Sequence, residues 1–342
     1  MSKGSVKRIT LFLSLLLKIF PDAFPQDNGE SPVRVMFYNV ENLFDTYDDS
    51  LKDDDEFLPG GVRRWTYGRY NRKINSIFKT ITAAGEWSPP AVVAFCEIEN
   101  RNVLEDLTYG TYLSKYDYGI IHEDSPDPRG IDVCLIYRKD LIHVINYRYL
   151  VPPSFQVSGF ASRSVLYAKC TVFSDTIHFL INHWPSRRGG VLNAEDQRRI
   201  IAEMVRTKAD SIAFVSRGEA RIIIMGDFNA TPDDRVLDLL TEGHSSGASM
   251  VNLSGRITGS TGTYRYMGTW EMIDQVIVSN MLLECKTGVS VKPDMVRIFR
   301  PDFLLRSDPK YPGVSPFSTY SGYRYQGGYS DHLPVLIDLI FK

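Results

Sequence analysis

The sequence predicts an α+β fold in which β-strands far outnumber long helices. Eight apolar, β-rich runs predict strands, and they cover residues 33–39, 91–96, 131–137, 165–173, 176–182, 221–225, 272–278 and 333–340. Two segments carry a clear helical pattern, at residues 68–84 and 194–215. Helices therefore do not alternate with the strands, which favours separate α and β layers over regular βαβ units. No internal repeat or low-complexity linker divides residues 28–342, so one domain is expected there.

The composition excludes binding of a polyanion through the overall charge of the protein. Of the 342 residues, 43% are hydrophobic and 23% are charged, which is ordinary for a globular protein. The formal net charge of -2 attracts neither nucleic acid nor an anionic membrane. A polyanionic substrate must therefore be held by local clusters of basic residues.

The N-terminal segment, residues 1–27, predicts a secretory signal. Lys3, Lys7 and Arg8 precede an apolar run at residues 9–17, and proline and small residues follow. This run is too short to span a bilayer, and no later stretch approaches that length. We therefore expect an exported protein (periplasmic, surface-bound or secreted) that is monomeric and has no permanent membrane span. The alternatives are a leader that stays on a cytoplasmic protein and one that remains as an anchor.

Two connecting regions carry further predictions. Asn193 directly precedes the second helical pattern and predicts its N-cap. Residues 297–329 are rich in Pro, Gly, Ser and aromatic residues, which predicts a long surface loop. Because this loop leads into Ser330, its aromatic side chains are expected near the functional rim. They could stack there on bases or enter a lipid interface, or they could pack the loop onto the body.

Polar side chains stand where several of the predicted strands end. They are Asn39, Glu41, Glu97, His183, Asp227 and Asn229, and Asp331 and His332 directly precede the last strand. Residues two apart on an extended segment point to the same face, so Asp227 and Asn229 are expected to project together. Taken singly, each such residue is an ordinary turn former or cap. Together they predict one site at a common rim.

The residue types at this rim indicate metal-assisted hydrolysis. Carboxylate and amide oxygens suit Mg²⁺ or Mn²⁺, and the four cysteines stand singly, without the Cys-x-x-Cys pair of a zinc or redox site. The two histidines suit proton transfer and stabilisation of a negatively charged transition state. Gly-x-Ser-x-Gly, Walker and dinucleotide-binding motifs are absent from the sequence.

The motifs resemble those of the endonuclease/exonuclease/phosphatase superfamily, in this order and over about residues 33–340. They are Phe-Tyr-Asn-Val-Glu at 37–41, Glu97, Gly-Asp-Phe-Asn at 226–229, Ile-Asp-Gln-Val-Ile at 273–277 and Ser-Asp-His-Leu-Pro at 330–334. That superfamily includes pancreatic deoxyribonuclease, apurinic-site repair endonucleases, neutral sphingomyelinases and inositol-polyphosphate phosphatases. Gly-Asp-x-Asn together with Ser-Asp-His-x-Pro is a specific combination.

The resemblance implies a four-layer α/β/β/α sandwich with two mixed, mainly antiparallel sheets. It also implies a metal site of Mg²⁺ or Mn²⁺ in which Glu97 is the principal ligand. Asn39, Glu41 and Asp331 would lie in or near the metal shell.

The resemblance further implies roles for the remaining site residues. Asp227 would orient or deprotonate the attacking water, and Asn229 would hold that water or the phosphate. His332 would contact the scissile phosphate, held in orientation by Asp274. His183 matches the second histidine of the deoxyribonuclease and sphingomyelinase branches and would donate to a phosphate oxygen. Whether Asp227 or His332 is the general base stays open.

The substrate predicted first is DNA or RNA, bound by a metal-dependent nuclease. Ala-Thr-Pro follows Asn229, and no Cys-Asp-Arg stretch surrounds Asp274, which argues against an inositol phosphate. Arg187 and Arg188 follow the His183 strand and predict contacts to substrate phosphates. A second basic and aromatic cluster, residues 63–73, predicts either phosphate binding or an ordinary helix face. The alternatives are a lipid phosphodiesterase, a phosphate-monoester phosphatase and an inactive binding protein of the same fold.

Overall fold

The structure is a computed structural model, and it describes residues 32–153, 162–186, 191–242, 247–257, 259 and 261–342. Contacts group Pro32–Lys342 into one compact unit. The predicted secretory signal at residues 1–27 lies outside the described residues and stays a prediction. Within the described part of the chain, the helices are all too short or too polar to cross a membrane.

The described residues form nineteen β-strands, and most of the long ones coincide with the predicted runs. In chain order they are β1 Val33–Leu43, β2 Val92–Ile98, β3 Tyr118–Ile121, β4 Asp132–Arg138, β5 Ile142–Leu150, β6 Val165–Val172, β7 Asp175–His183, β8 Arg221–Asp227, β9 Met250–Asn252, β10 Tyr264–Tyr266, β11 Thr269–Glu271, β12 Asp274–Ser279, β13 Val289–Ser290, β14 Arg297–Ile298, β15 Leu305–Ser307, β16 Val314–Pro316, β17 Tyr320–Ser321, β18 Arg324–Tyr325 and β19 Val335–Phe341.

The α-helices of the described residues are fewer and separate the strand groups. They are α1 Tyr67–Gly85, α2 Arg101–Thr108, α3 Val191–Val215, α4 Arg235–Thr241 and α5 Asn280–Glu284. The side chain of Asn100 caps α2 by accepting the backbone N–H of Val103 at 3.1 Å.

The long strands form two mixed sheets. The first has the order β13-β19-β1-β2-β4-β3, with β14 also paired to β19, and the second has the order β5-β6-β7-β8-β12-β9. Each sheet contains one parallel pair, β1 with β2 and β7 with β8, and its other pairs are antiparallel. Two mixed, mainly antiparallel sheets were predicted, and the prediction is confirmed.

Alternate residues of the central strands are buried on opposite sides of each sheet, as the pleat of a strand requires. Val35 of β1 and Phe179 of β7 belong to one core cluster between the two sheets. Met36 faces the other way and packs with residues of α1 and α2. Leu180 likewise packs with residues of α3 and α4. The layers therefore run helix, sheet, sheet, helix, which confirms the predicted four-layer sandwich.

Some local predictions fail for identifiable reasons. The N-cap prediction for Asn193 is wrong, because α3 begins at Val191 and Asn193 lies in its first turn. Strand β5 lies at the edge of the second sheet and alternates polar with apolar residues, so it has no apolar run to reveal it. The segment 297–329, predicted as a loop, contains the short strands β14 to β18, which pair over two or three residues each.

Candidate active site

Three of the predicted site residues lie side by side at one end of the second sheet. The parallel register of β7 and β8 aligns His183 with Asp227, and the antiparallel register of β8 and β12 aligns Asp227 with Asp274. Neighbouring strands are about 4.8 Å apart, so these pairings alone bring the three side chains together. The ends of β7 and β8 thus meet the start of β12 at one rim.

A glycine is required immediately before Asp227. Gly226 has a φ of 155°, a conformation that residues with a side chain rarely adopt. A Cβ atom at this position would lie 2.2 Å from the backbone oxygen of Asn182 on β7. Strands β7 and β8 can therefore approach this closely only because residue 226 is glycine. The backbone fixed at this point determines where the Asp227 carboxylate projects.

The first sheet contributes Asn39 and Glu97, and the Asn39 amide connects the two sheets. Its Nδ2 donates to Asp227 Oδ2 at 3.1 Å and to Glu97 Oε1 at 3.4 Å. Glu97 has a left-handed φ of 63°, a strained backbone conformation of the kind that clusters at functional sites. The backbone N–H of Asn42 donates to Glu97 Oε2 at 2.9 Å and holds the carboxylate in place.

Asp331 and His332 reach the same place from the turn before β19. His332 Nδ1 lies 2.8 Å from Asp274 Oδ2, and its Nε2 lies 3.8 Å from Asp227 Oδ2. The Ser330 hydroxyl fixes the turn, because it donates to the backbone oxygen of Asn39 at 2.7 Å and accepts the His332 N–H at 3.0 Å. The pairing of His332 with Asp274 matches the arrangement that the resemblance implies.

His183 and Asn229 complete the group. His183 Nε2 lies 3.6 Å from Asp227 Oδ2 and 3.8 Å from Glu97 Oε1. The Asn229 backbone N–H donates to Asp227 Oδ1 at 2.9 Å, and its side-chain Nδ2 donates to the backbone oxygen of Trp184 at 3.0 Å. Together with Glu97 and Asp331, these side chains line one cavity of about 370 Å³. Asp274 is buried behind His332 and is not among the residues that line this cavity.

The two histidines of this cavity differ in charge. Burial lowers the pKa of His183 well below its ordinary value, and the nearby guanidinium groups lower it further. Burial also lowers the pKa of His332, but the carboxylates of Asp274 and Asp227 outweigh it and raise that pKa well above the ordinary value. At neutral pH His183 is therefore neutral, and His332 is an imidazolium.

The pKa of the Asp227 carboxyl group is raised above that of an ordinary aspartate. Burial, reinforced by the charges of Asp274 and Glu97, raises the pKa of Asp227 to about 7, although His332 opposes the shift. A carboxyl group with such a pKa can accept and release a proton near neutral pH. Carboxyl groups with a raised pKa of this kind cluster at functional sites.

Glu41, predicted as a metal ligand, does not join the residues that line the cavity. Its carboxylate instead accepts the backbone N–H groups of Thr319 at 2.6 Å and Tyr320 at 3.0 Å. The prediction assumed that β1 stays extended from Asn39 to Glu41. The pairing of β1 with β2 becomes irregular after Asn39, and Glu41 has a left-handed φ of 53°. Asn42 therefore lines the cavity in place of Glu41.

Two arginines that the sequence reasoning missed line the same cavity. Arg163 has a side chain only 7% exposed and lies 3.0 Å from Asp127 Oδ2, and Arg129 is 51% exposed. Arg129 stands shortly before β4 and Arg163 shortly before β6, whereas most of the predicted site residues follow a strand. In a mostly antiparallel sheet, however, the start of one strand lies at the same edge as the end of its neighbour. Basic residues that precede alternate strands of the predicted sheets were therefore the sequence signal for Arg129 and Arg163.

The predicted phosphate contacts Arg187 and Arg188 lie outside the described residues. The other basic cluster, residues 63–73, is largely structural. Lys73 is buried and donates to Thr319 Oγ1 and to the backbone oxygen of Tyr329. The guanidinium of Arg63 stacks on the rings of Phe57 and Tyr320.

The aromatic residues of the segment 297–329 mostly pack the segment onto the body of the domain, which was one of the predicted alternatives. The buried Tyr320 ring contacts Trp65, and the Phe303 ring contacts the Lys79 ammonium of α1. The aromatic part of the cavity comes instead from the β10–β11 hairpin. The Tyr264 ring lies 4.9 Å from the His332 ring, and Tyr266 lines the cavity with half of its surface exposed.

The residues of the cavity fit a hard divalent cation. Glu97, Asp227 and Asp331 place carboxylates around one space, and Mg²⁺ is bound in proteins by few carboxylates with water completing its shell. Asn39 contacts the same carboxylates, because its Nδ2 donates to Asp227 Oδ2 and to Glu97 Oε1, and its oxygen accepts the Glu41 N–H at 2.9 Å. Of the predicted metal set, Glu97 and Asp331 therefore line the cavity, and Asn39 contacts Glu97.

Comparison with known proteins agrees with this geometry. Residues 34–340 match the model of the Endonuclease/Exonuclease/phosphatase family. No curated protein matches the chain in sequence. Similar solved structures include an endonuclease/exonuclease/phosphatase from Bacteroides vulgatus, 18% identical, covering 92% of this chain and 100% of that chain with a TM-score of 0.57.

Two further solved structures share the fold. A D. rerio TDP2 complexed with a single-strand DNA product is 13% identical and covers 91% of this chain and 99% of that chain, with a TM-score of 0.55. The human Nocturnin catalytic domain with a bound sulfate anion is 15% identical and covers 91% and 95%, with a TM-score of 0.52. The family match and the four-layer architecture together show that the chain belongs to the endonuclease/exonuclease/phosphatase family.

Proposed function

We propose that this protein is a divalent-metal-dependent phosphodiesterase that hydrolyses nucleic acid by attack of an activated water. One observation carries the proposal: a single cavity combines the carboxylates of Glu97, Asp227 and Asp331 with the guanidinium groups of Arg129 and Arg163. Carboxylates of this kind hold a hard cation, whereas guanidinium groups hold phosphate oxygens. A site with both suits a substrate that is itself an anion.

In this proposal Glu97 and Asp331 hold the metal. When bound, Mg²⁺ or Mn²⁺ would act as a Lewis acid on a phosphate oxygen and lower the pKa of a bound water. Asn39 keeps Glu97 and Asp227 at a fixed separation through its two hydrogen bonds. The protein itself must then supply proton transfer and neutralise the charge that develops on the phosphorus oxygens.

Asp227 is the proposed proton acceptor for the attacking water. Burial raises the pKa of its carboxyl group, which favours proton uptake, and the Asn229 N–H fixes one of its oxygens. His332, charged and held by Asp274, donates to a non-bridging phosphate oxygen. His183 is neutral, so it can donate one hydrogen bond without adding a second positive charge.

The nuclease assignment rests on the rim of the cavity. Tyr264 and Tyr266 place aromatic rings beside the catalytic group, where a nucleobase next to the scissile phosphate could stack. Tyr266 is 52% exposed and thus accessible. A related fold has been observed with a single-strand DNA product, in D. rerio TDP2. These features support a single-stranded substrate, or a duplex that is locally opened.

A substrate panel tests the proposal. The purified protein would be assayed with Mg²⁺ or Mn²⁺ against single-stranded DNA, RNA, sphingomyelin vesicles and phosphate monoesters. With two arginine–phosphate contacts, affinity for single-stranded DNA should fall roughly sevenfold between about 50 and 200 mM salt. Lipid or monoester hydrolysis without cleavage of either nucleic acid, under the same metal conditions, would refute the nuclease assignment.

A further inference from the structure

A second cluster of metal-binding side chains lies outside the cavity. It consists of His122, which follows β3, Asp124 in the next loop and Asp132, the first residue of β4. One ligand atom from each of the three lies within 4.8 Å of the other two. These residues do not line the catalytic cavity, and the proposed function makes no use of them.

The imidazole of this cluster has a buried nitrogen without a hydrogen bond. The side chains of His122 and Asp132 are 3% and 1% exposed. His122 Nε2 lies 3.2 Å from Asp132 Oδ2, yet the pair lacks the geometry of a hydrogen bond, and Nε2 has no hydrogen-bond partner among the described residues. A buried polar atom left in this way is costly, so native proteins rarely retain one.

The distance between these two atoms fits a shared ion. Ligand atoms at about 2.0–2.1 Å from a tetrahedral ion are about 3.3 Å apart. The 3.2 Å contact between His122 Nε2 and Asp132 Oδ2 agrees with that separation. The other oxygen of Asp132 accepts the Ser125 N–H at 2.9 Å, which leaves Oδ2 directed toward His122. Such support of a ligating carboxylate by a hydrogen bond is usual at metal sites.

We propose that His122, Asp124 and Asp132 bind a divalent transition metal ion of the zinc class. One imidazole and two carboxylates suit Zn²⁺ or Co²⁺ better than Mg²⁺, which binds oxygen ligands. Asp124 is exposed, so the ion is reached from solvent, and a water molecule completes a tetrahedral shell.

The ion fastens the loop that carries Arg129. Its ligands stand at both ends of residues 122–132, so it closes this loop at its base. Within the loop, Asp127 pairs with Arg163 of the cavity at 3.0 Å. Lys52 supports the loop from the other side, because its Nζ donates to the backbone oxygens of Ser125 at 2.8 Å and Asp127 at 3.1 Å. The role of the ion is thus to hold the phosphate-binding arginines, not to react.

The test measures metal binding without an activity assay. Full-length protein stripped with a chelator would be titrated with Co²⁺ in excess Mg²⁺, which occupies the catalytic site. The visible absorption of Co²⁺ reports a low-coordinate site, and equilibrium dialysis with Zn²⁺ gives the stoichiometry. We expect one tightly held ion per chain. His122→Ala should abolish this binding, and Asp124→Asn should weaken it roughly tenfold or more.

Two control variants separate the site from its surroundings. Glu123→Gln removes an exposed carboxylate of the same loop that does not belong to the cluster, and Co²⁺ binding should not change. Glu97→Gln alters the catalytic cavity and should leave the Co²⁺ absorption intact. Because Asp124 is exposed, Asp124→Asn will fold even if His122→Ala does not, and circular dichroism verifies this. Failure to bind Co²⁺, or equal affinity in Asp124→Asn and wild type, would overturn the proposal.

Discussion

Different interactions position the site residues at the ends of strands and the site residues on loops. His183, Asp227 and Asp274 stand on three neighbouring strands, so backbone ladders fix their separation. Arg129 and Arg163 stand on connecting segments, and ion pairs with Asp127 hold them. The backbone hydrogen bonds between central strands break only when the whole domain unfolds, whereas a loop can move independently.

In the proposed function, the strand-end residues carry the chemical step and the loop residues select the substrate. Proton transfer needs groups held within a fraction of an ångström, which the strand ends provide. Contacts to a substrate tolerate adjustment and can vary between relatives of one fold, which connecting segments allow. We therefore expect changes at strand ends to lower kcat, and changes in the loops to raise KM.

The largest effect is expected from Asp227→Asn. Asparagine keeps the shape but cannot accept a proton, so kcat should fall roughly a hundredfold or more. The melting temperature should also fall, because the asparagine oxygen can accept the Asn229 N–H but its NH2 group cannot accept the Asn39 Nδ2 hydrogen bond. Steady-state kinetics on single-stranded DNA measures the effect, and Asp238→Asn, an exposed acid on α4, is the matched control. Wild-type turnover in Asp227→Asn would disprove its role.

The second effect concerns pH. Asp274 raises the pKa of His332 against the effect of burial, so Asp274→Asn should let that pKa fall. The imidazolium would then be lost at lower pH, and the alkaline limb of the kcat profile should shift to lower pH. The variant should lose more activity at pH 8 than at pH 6, as pH–rate profiles would show. A uniform loss at all pH values would mean that Asp274 only orients the ring.

A smaller effect is expected from Arg129→Ala. Removing one charged hydrogen bond to a phosphate should raise KM roughly tenfold and change kcat much less. The slope of affinity against salt should also decrease, because one phosphate contact is lost. Arg101→Ala is the matched control, since the side chain of Arg101 is also 51% exposed but lies on α2. A fall in kcat at unchanged KM would place Arg129 with the chemical step instead.

The smallest effect on catalysis is expected from Glu41→Gln. If Glu41 anchors Thr319 and Tyr320 and does not bind metal, the Mg²⁺ dependence should stay as in wild type. Stability should fall by about 1–3 kcal/mol, because glutamine cannot satisfy both buried N–H groups equally. Denaturant unfolding and Mg²⁺ titration of activity measure the two quantities. A large rise in the Mg²⁺ requirement would restore Glu41 to the metal shell.

The same contrast explains what the sequence could predict. Asn39, Glu97 and Asp227 were predicted because a polar residue after an apolar run marks a strand end, and strand ends meet at a rim. Glu41 does not line the cavity because two left-handed residues, Glu41 and Asn42, break the period-two pattern, which composition does not reveal. Tyr264 was missed because tertiary contacts alone bring its hairpin to the cavity, whereas Arg163 was missed because it precedes its strand. The α+β class followed from the hydrophobic patterns and the four-layer sandwich from the family resemblance, whereas the substrate contacts depend on loop conformation.

The central claim is that a divalent metal held by Glu97 drives hydrolysis in this cavity, and a Mg²⁺ titration tests it most directly. Chelator-treated wild-type protein and Glu97→Gln would be assayed on single-stranded DNA over a range of Mg²⁺ concentrations. We predict no cleavage without metal, full recovery in wild type, and recovery in Glu97→Gln only at much higher Mg²⁺, if at all. Cleavage by the wild type that persists after chelation, or equal Mg²⁺ titrations for both proteins, would contradict the claim.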